Sequence, residues 1–218
     1  MQQTKLWING AWEQTNETTE LTAPYTGEKL AQVAKATVQD VVRAIEGAHE
    51  AFQTFKKTTA YDRAEILYKV IAIMRERKQE LAELLAKEAS KPLTAGLSEL
   101  DRTIATYQFA AEAAKNVTGE TIPMDAAPGA SDRIGYTKRV PLGVVSAITP
   151  FNFPFNLVAH KLGPAFAVGN TVVLKPASQT PLSALVMAGI FKEAGLPDGA
   201  LQIVTGSGGD LSDTLVMH

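Results

Sequence analysis

The sequence predicts an α/β fold built on a doubly wound parallel sheet, and three observations carry that expectation. Apolar, β-branched runs recur late in the chain at Val144-Val145-Ser146-Ala147-Ile148, Thr171-Val172-Val173-Leu174 and Leu201-Gln202-Ile203-Val204. Their starts lie 27 and 30 residues apart (144 to 171, 171 to 201), enough for a crossover helix each time. The segment between the last two is punctuated as a helix: Thr180 at the cap, Pro181 in the first turn, Gly195 just past the end, then Pro197.

The earlier elements read in order. In Leu6-Trp7-Ile8-Asn9-Gly10-Ala11-Trp12 an Asn-Gly pair separates two apolar stretches, the signature of a hairpin with a two-residue turn. Pro24-Tyr25-Thr26-Gly27 marks a second turn, with a short strand from Leu30 to Val33. Thr37 followed by Asp40 opens a helix through Val41, Ile45, Ala48 and Phe52. Ile66, Val70, Ile71, Met74, Leu81, Leu84 and Leu85 form one helical stripe, with Glu65/Lys69 and Glu83/Lys87 as i,i+4 pairs on its wet side. A third helix is expected over Ser98 to Lys115. From Gly119 to Ser131 the composition becomes that of a connector. Asp132 to Val140 then alternates apolar and polar residues as an exposed, projecting strand able to pair with another chain. This divides the chain into 1–118 (hairpin and helices), 119–140 (connector and bridging strand) and 141–218 (an incomplete Rossmann-like part). Three parallel strands alone would leave a sheet edge and an apolar face exposed.

Composition narrows the function. Hydrophobic residues make up 45% and charged residues 20% of 218, as in an ordinary globular chain that can bury a core. A net charge of −2 gives no basic excess for nucleic acid or an anionic membrane. No apolar run reaches the length of a membrane span, and the first residues leave no room for a signal-peptide core, so the cytoplasm is the expected location. There is no cysteine, which removes disulfides, thiolate metal sites and any thiol nucleophile from these residues. His49, His160 and His218 have no metal-ligand spacing, and no metal is expected.

Ligands of open parallel sheets bind where the strands end, and three loops there are unusual. Thr149-Pro150-Phe151-Asn152-Phe153-Pro154 presents one amide, Asn152, either an oxyanion donor or simply a turn cap. Lys175-Pro176-Ala177-Ser178 places a lysine at a strand end, either facing ribose hydroxyls and phosphate or at the surface. Thr205-Gly206-Ser207-Gly208-Gly209-Asp210 opens a helix, where glycines let a backbone approach a pyrophosphate or merely make a turn. It departs from G-x-G-x-x-G at Leu211.

In order, spacing and residue identity, these loops resemble the aldehyde dehydrogenase superfamily, through Pro150-Phe151-Asn152-Phe153-Pro154, Lys175-Pro176-Ala177 and Gly206-Ser207-Gly208. The likeness extends over the whole chain, including the Trp-Ile-Asn-Gly-Ala-Trp hairpin, the turn at Ala23 to Gly27 and Arg139-Val140-Pro141-Leu142-Gly143-Val144. The resemblance implies NAD(P)-dependent oxidation of an aldehyde to an acid. A cysteine thiolate forms a thiohemiacetal, and water activated by a glutamate then hydrolyses the thioester. It implies that Asn152 binds the oxyanion and that Ile148, Thr149, Pro150 and Phe151 border the cofactor. Lys175, Ala177, Ser178, Gly206 and Gly208 would hold its adenosine and phosphates. Phe153, Leu157 and His160 match the aldehyde tunnel, with a packed role for His160 equally open. The nucleophile and base lie further along in family members. These residues are therefore expected to be inactive alone, as part of a longer homo-oligomeric enzyme (dimer or tetramer) or as a short nucleotide-binding or subunit-associating form. Many NAD-preferring members carry glutamate where Ser178 stands. Serine removes its repulsion of a 2′-phosphate, so NADP is expected to be accepted alongside NAD, and preference for NADP follows if Lys175 supplies charge. The Phe-Asn-Phe-Pro…Ala-His-Lys run points to small hydroxylated or phosphorylated aldehydes such as lactaldehyde or glyceraldehyde 3-phosphate. Members selecting succinate-type substrates often carry arginine at the place of His160.

Overall fold

The computed structural model describes residues 2–218. The chain opens with β1 (Gln2–Gln3), β2 (Leu6–Ile8), β3 (Ala11–Glu13), β4 (Thr18–Thr22) and β5 (Lys29–Ala34). Four helices follow: α1 (Val38–Phe55), α2 (Ala60–Glu76), α3 (Lys78–Ala89) and α4 (Leu93–Ala114). A short arm carries β6 (Thr121–Ile122), one 3-10 turn and β7 (Gly135–Tyr136). The alternating part is β8 (Val144–Ile148), α5 (Pro154–Ala167), β9 (Thr171–Lys175), α6 (Pro181–Glu193), β10 (Leu201–Ile203) and α7 (Gly208–Met217).

The central sheet has the order β3-β2-β10-β9-β8. β8, β9 and β10 are parallel, in the register Ile148↔Lys175 and Leu201↔Val172. The sheet edge expected beside the third strand is not free, because β2 pairs antiparallel with β10 at Trp7↔Ile203. The amino-terminal hairpin thus extends the parallel sheet. Its turn has φ of 50° at Asn9 and 78° at Gly10, the positive pair a two-residue turn requires. Buried Gln202 fastens it: its carbonyl accepts from the Asn9 N–H (2.7 Å) and its amide donates to Asn9 Oδ1 (2.8 Å). In α1, Gly47 leaves room for this turn, since a Cβ there would lie 1.9 Å from Asn9 Oδ1.

Both faces of the sheet are covered. On one side Val173, Leu6, Ile8 and Val204 pack with Val41, Ala44 and Ala48 of α1 and Leu211 and Leu215 of α7. On the other, Val172, Leu174, Leu201 and Ile203 pack against α5 and α6, with α2, α3 and α4 behind them. Pleat alternation sends successive residues of β9 to opposite cores. The small sheet β1-β5-β4 lies beside this body.

Local sequence explains several helix boundaries. Thr37 with Asp40 and Thr59 with Asp62 form reciprocal capping boxes at α1 and α2. Burial works against the Asp40 carboxylate, but hydrogen bonds from Thr37 and Arg43 outweigh it and lower its pKa. The stripe from Ile66 to Leu85 belongs to two helices rather than one, because the chain leaves helical geometry at Arg77 (φ −94°, ψ 13°). Glu65 and Glu83 do not pair with Lys69 and Lys87. Glu65 faces Lys115 across helices (3.9 Å), and Glu83 accepts from Gln79 (2.8 Å). The third helix begins earlier than expected, at Leu93, because Pro92 fits the position before a first turn. The strand expected over Asp132 to Val140 is reduced to Gly135–Tyr136 paired with Thr121–Ile122. Its apolar residues Ile134, Tyr136 and Val140 stand exposed on this arm, whose two strands pair only with each other among the described residues.

Candidate functional site

Parallel alignment brings the carboxyl ends of β8, β9 and β10 side by side, and with them the three unusual loops. Ile148 ends β8, and the Thr149 N–H donates to the Lys175 carbonyl (3.2 Å), so the first loop leaves the sheet against the second. Ile148, Pro150 and Phe151 are exposed and Thr149 is buried. The second and third loops are tied by Ser178, whose Oγ donates to the Gly206 carbonyl (3.0 Å). A cavity of about 400 Å³ lies between them, lined by Ala177, Ser178, Gly206, Gly208 and Asp210 with apolar Leu21 and Val33 opposite. Lys175 is buried at the strand end, its Nζ donating to the Pro176 carbonyl (3.2 Å), and desolvation lowers its pKa.

The helix beginnings at this edge differ. α6 starts at Pro181 after Thr180, but the Thr180 hydroxyl does not cap it and is buried without a partner among the described residues. The Glu88 carboxylate of α3 caps it instead, accepting from the Leu182 N–H, the Ser183 N–H (3.0 Å) and the Ser183 hydroxyl. Burial pushes the Glu88 carboxyl up to about 7 against those hydrogen bonds. At α5 the same task falls to Glu99 of α4, which accepts from the amides of Phe155 (2.9 Å) and Asn156 (3.3 Å). At α7 the preceding residue, Ser207, makes no capping bond, and the Gly208 and Gly209 amides begin the helix at the exposed surface. Gly206 needs its left-handed backbone (φ 156°). Gly208 does not: a Cβ there would meet nothing nearer than Ser212 Oγ at 3.9 Å. Packing within the chain therefore does not demand glycine at 208. Uncapped amides at an exposed helix start attract anions, so loop and cavity are compatible with the phosphate and adenosine ends of a dinucleotide.

Asn152 lies in the turn before α5, exposed, and its carboxamide makes no hydrogen bond among the described residues. Its backbone carbonyl accepts from the Lys91 ammonium, which also pairs with Glu99 (2.9 Å) and lies 4.4 Å from the Phe153 ring centre. Phe153, Leu157 and His160 share one side of α5; Leu157 is half-buried, and Phe153 and His160 are exposed. The cavity between the second and third loops does not include Asn152 or the Ile148–Phe151 segment, so the edge has two separate parts. Sequence reasoning missed Glu88, Lys91 and Glu99. Both glutamates fall on apolar stripes, Glu88 after Leu81 and Leu85, Glu99 before Thr103 and Tyr107, and a carboxylate on such a stripe is the signal that finds them.

Sheet, loops and uncapped helix define an α/β nucleotide-binding domain. The comparisons with known proteins agree. A profile of the aldehyde dehydrogenase family matches residues 12–218. A 3-sulfolactaldehyde dehydrogenase of Priestia aryabhattai is 45% identical over 97% of this chain and 44% of its own length. A D-glyceraldehyde dehydrogenase (NADP(+)) of Thermoplasma acidophilum is 37% identical over 99% of this chain and 43% of its own. The crystal structure of an NADP-dependent glyceraldehyde-3-phosphate dehydrogenase from Bacillus halodurans C-125, complexed with NADP, superposes with a TM-score of 0.96. It is 37% identical and covers 100% of this chain and 46% of that one. This chain belongs to the aldehyde dehydrogenase family. It spans less than half the length of the curated relatives it matches. None of its helices is long and apolar enough to cross a membrane, among the described residues.

Proposed function

We propose that these residues form the cofactor-binding part of an NAD(P)-dependent aldehyde dehydrogenase that oxidises an aldehyde to a carboxylic acid. The observation that carries this reading is the uncapped start of α7 beside the Ser178–Gly206 bridge, at the ends of three parallel strands. The Gly206–Gly208 turn would receive the pyrophosphate on free amides. Lys175, Ala177 and Ser178 would hold the adenosine ribose, while Ile148, Thr149, Pro150 and Phe151 border the rest of the cofactor. Bound there, the nicotinamide would supply the hydride acceptor that the oxidation needs. Asn152 donates its amide to the oxyanion formed on attack at the carbonyl. The attacking thiol must come from outside these 218 residues, which contain no cysteine, and the family resemblance puts the general base beyond them as well.

Phe153, Leu157 and His160 would line the aldehyde's approach. Arg102 lies 5.9 Å from the Phe153 ring centre, and a cation on that side suits a small hydroxylated or phosphorylated aldehyde. The exposed arm at 119–140 would bridge subunits of a homo-oligomer, between parts 1–118 and 141–218, in a cytoplasmic enzyme. The test is a pair of titrations. NADP should bind no more than about tenfold more weakly than NAD, and Ser178→Glu should turn preference toward NAD by about tenfold or more, because a carboxylate beside a 2′-phosphate is repelled. A tenfold preference for NAD in the unsubstituted protein, or an unchanged ratio in the variant, defeats the assignment of Ser178.

A further inference from the structure

Asn152 poses a mechanical problem. An amide that stabilises a developing charge must already point at it, yet among the described residues this carboxamide has no partner to hold it. What the backbone fixes is the direction in which the side chain leaves the turn. We propose that Lys91 and Glu99 act as a positioning pair, clamping the Asn152 turn from both ends so that its side chain leaves the backbone in one fixed direction. The inference rests on the reading of Asn152 as the oxyanion donor.

The Lys91 ammonium donates to the Asn152 carbonyl and so fixes the peptide plane immediately after the asparagine. The same ammonium sits over the Phe153 ring (4.4 Å) and holds Glu99 Oε2 (2.9 Å). The other carboxylate oxygen of Glu99 accepts the amides of Phe155 and Asn156, three and four residues beyond Asn152. Thr106 of α4 adds a hydrogen bond to Asn156 Oδ1 (3.1 Å). One carboxylate thus joins the far end of the turn to the cation that grips its near end. Glu99 is only 2% exposed, so water does not compete for it. A cap alone would require only Glu99. The lysine on the Asn152 carbonyl is what extends the network to the asparagine itself.

A double-mutant cycle in the full-length protein carrying this segment tests the pair, with D-glyceraldehyde and NADP as probes. Lys91→Met should lower kcat about tenfold while the NADP dissociation constant stays within about twofold, and Lys91→Arg should recover most of the rate. Asn152→Ala should cost about a hundredfold or more. The deciding comparison is the double variant, which should be no slower than Asn152→Ala alone. Equal fold losses from Lys91→Met in both backgrounds would overturn the proposal, as would no loss in kcat where Asn152→Ala is severely impaired. If Asn152→Ala keeps its rate, or the unsubstituted protein does not reduce NADP, the underlying reading of the site is what has failed. Should Lys91→Met not fold, Glu99→Gln answers the same question, because it keeps an acceptor for the two amides but weakens the hold on Lys91. Its loss of a few-fold should likewise vanish on the Asn152→Ala background, and persistence of that loss overturns the pair.

Discussion

Three helices follow the parallel strands, and they begin in opposite ways. α5 and α6 each meet a buried glutamate sent from the helical layer behind the sheet, Glu99 and Glu88, whereas among the described residues no side chain caps the first turn of α7. A helix start carries free amides and a partial positive charge and so attracts an anion. Two of these sites are filled from within the chain, and the third is uncapped, which is where we propose that the cofactor's phosphates bind. The two filled sites also differ. Glu99 has Lys91 beside it, while Glu88 has only neutral donors, and burial drives its carboxyl toward protonation.

The largest expected effect comes from emptying a filled site. Glu99→Ala strips two amides and one ammonium of their partner and should destabilise the protein by about 3–5 kcal/mol. Glu88→Ala strips neutral groups only and should cost about 1–3 kcal/mol. Denaturant midpoints measure both, and an equal or larger loss for Glu88 would break the distinction between them. A second effect is a pH dependence. Glu88 has an ordinary value of 4.5 when exposed and about 7 in the fold. Between these values the folded chain keeps a proton that the unfolded chain has released, so this group's contribution to stability is present below 4.5 and declines as pH rises to about 7. At roughly 1.4 kcal/mol per unit the loss is about 3 kcal/mol. Glu88→Gln cannot titrate, so it should gain on the unsubstituted protein across that window, and parallel pH profiles in urea unfolding would rule this out. The smallest effect concerns the open site. Asp210 lies in the first turn of α7 and lines the same cavity as Ser178. Asp210→Asn removes a competing charge and should tighten NADP binding about two- to fivefold at low salt, less at high salt. Weaker binding would mean that the carboxylate helps rather than competes.

What could be read from sequence was what neighbours along the chain decide. The Asn9-Gly10 turn, the capping box of Thr37 and Asp40, and the three parallel strands follow from backbone preference and periodicity over a few residues. The three loops at the strand ends stood out in sequence because their prolines and glycines are unusual there, and parallel pairing brings them side by side. The pairing of β2 with β10 was not, since residues 193 apart, Asn9 and Gln202, make the contact. The grip of Lys91 on Asn152, across 61 positions, was hidden for the same reason. The break at Arg77 was missed because the apolar stripe continues in phase across it.

The late meeting of β2 and β10 has a consequence during synthesis. Leu6–Ile8 leave the ribosome nearly two hundred residues ahead of the strand beside which they lie. At about 5–20 residues per second, an apolar hairpin with one unsatisfied edge waits on the order of 10–40 s for its partner. Over that interval the nascent chain presents an unpaired apolar hairpin that a holding chaperone could cover, and the sheet can close only once Leu201–Ile203 has emerged.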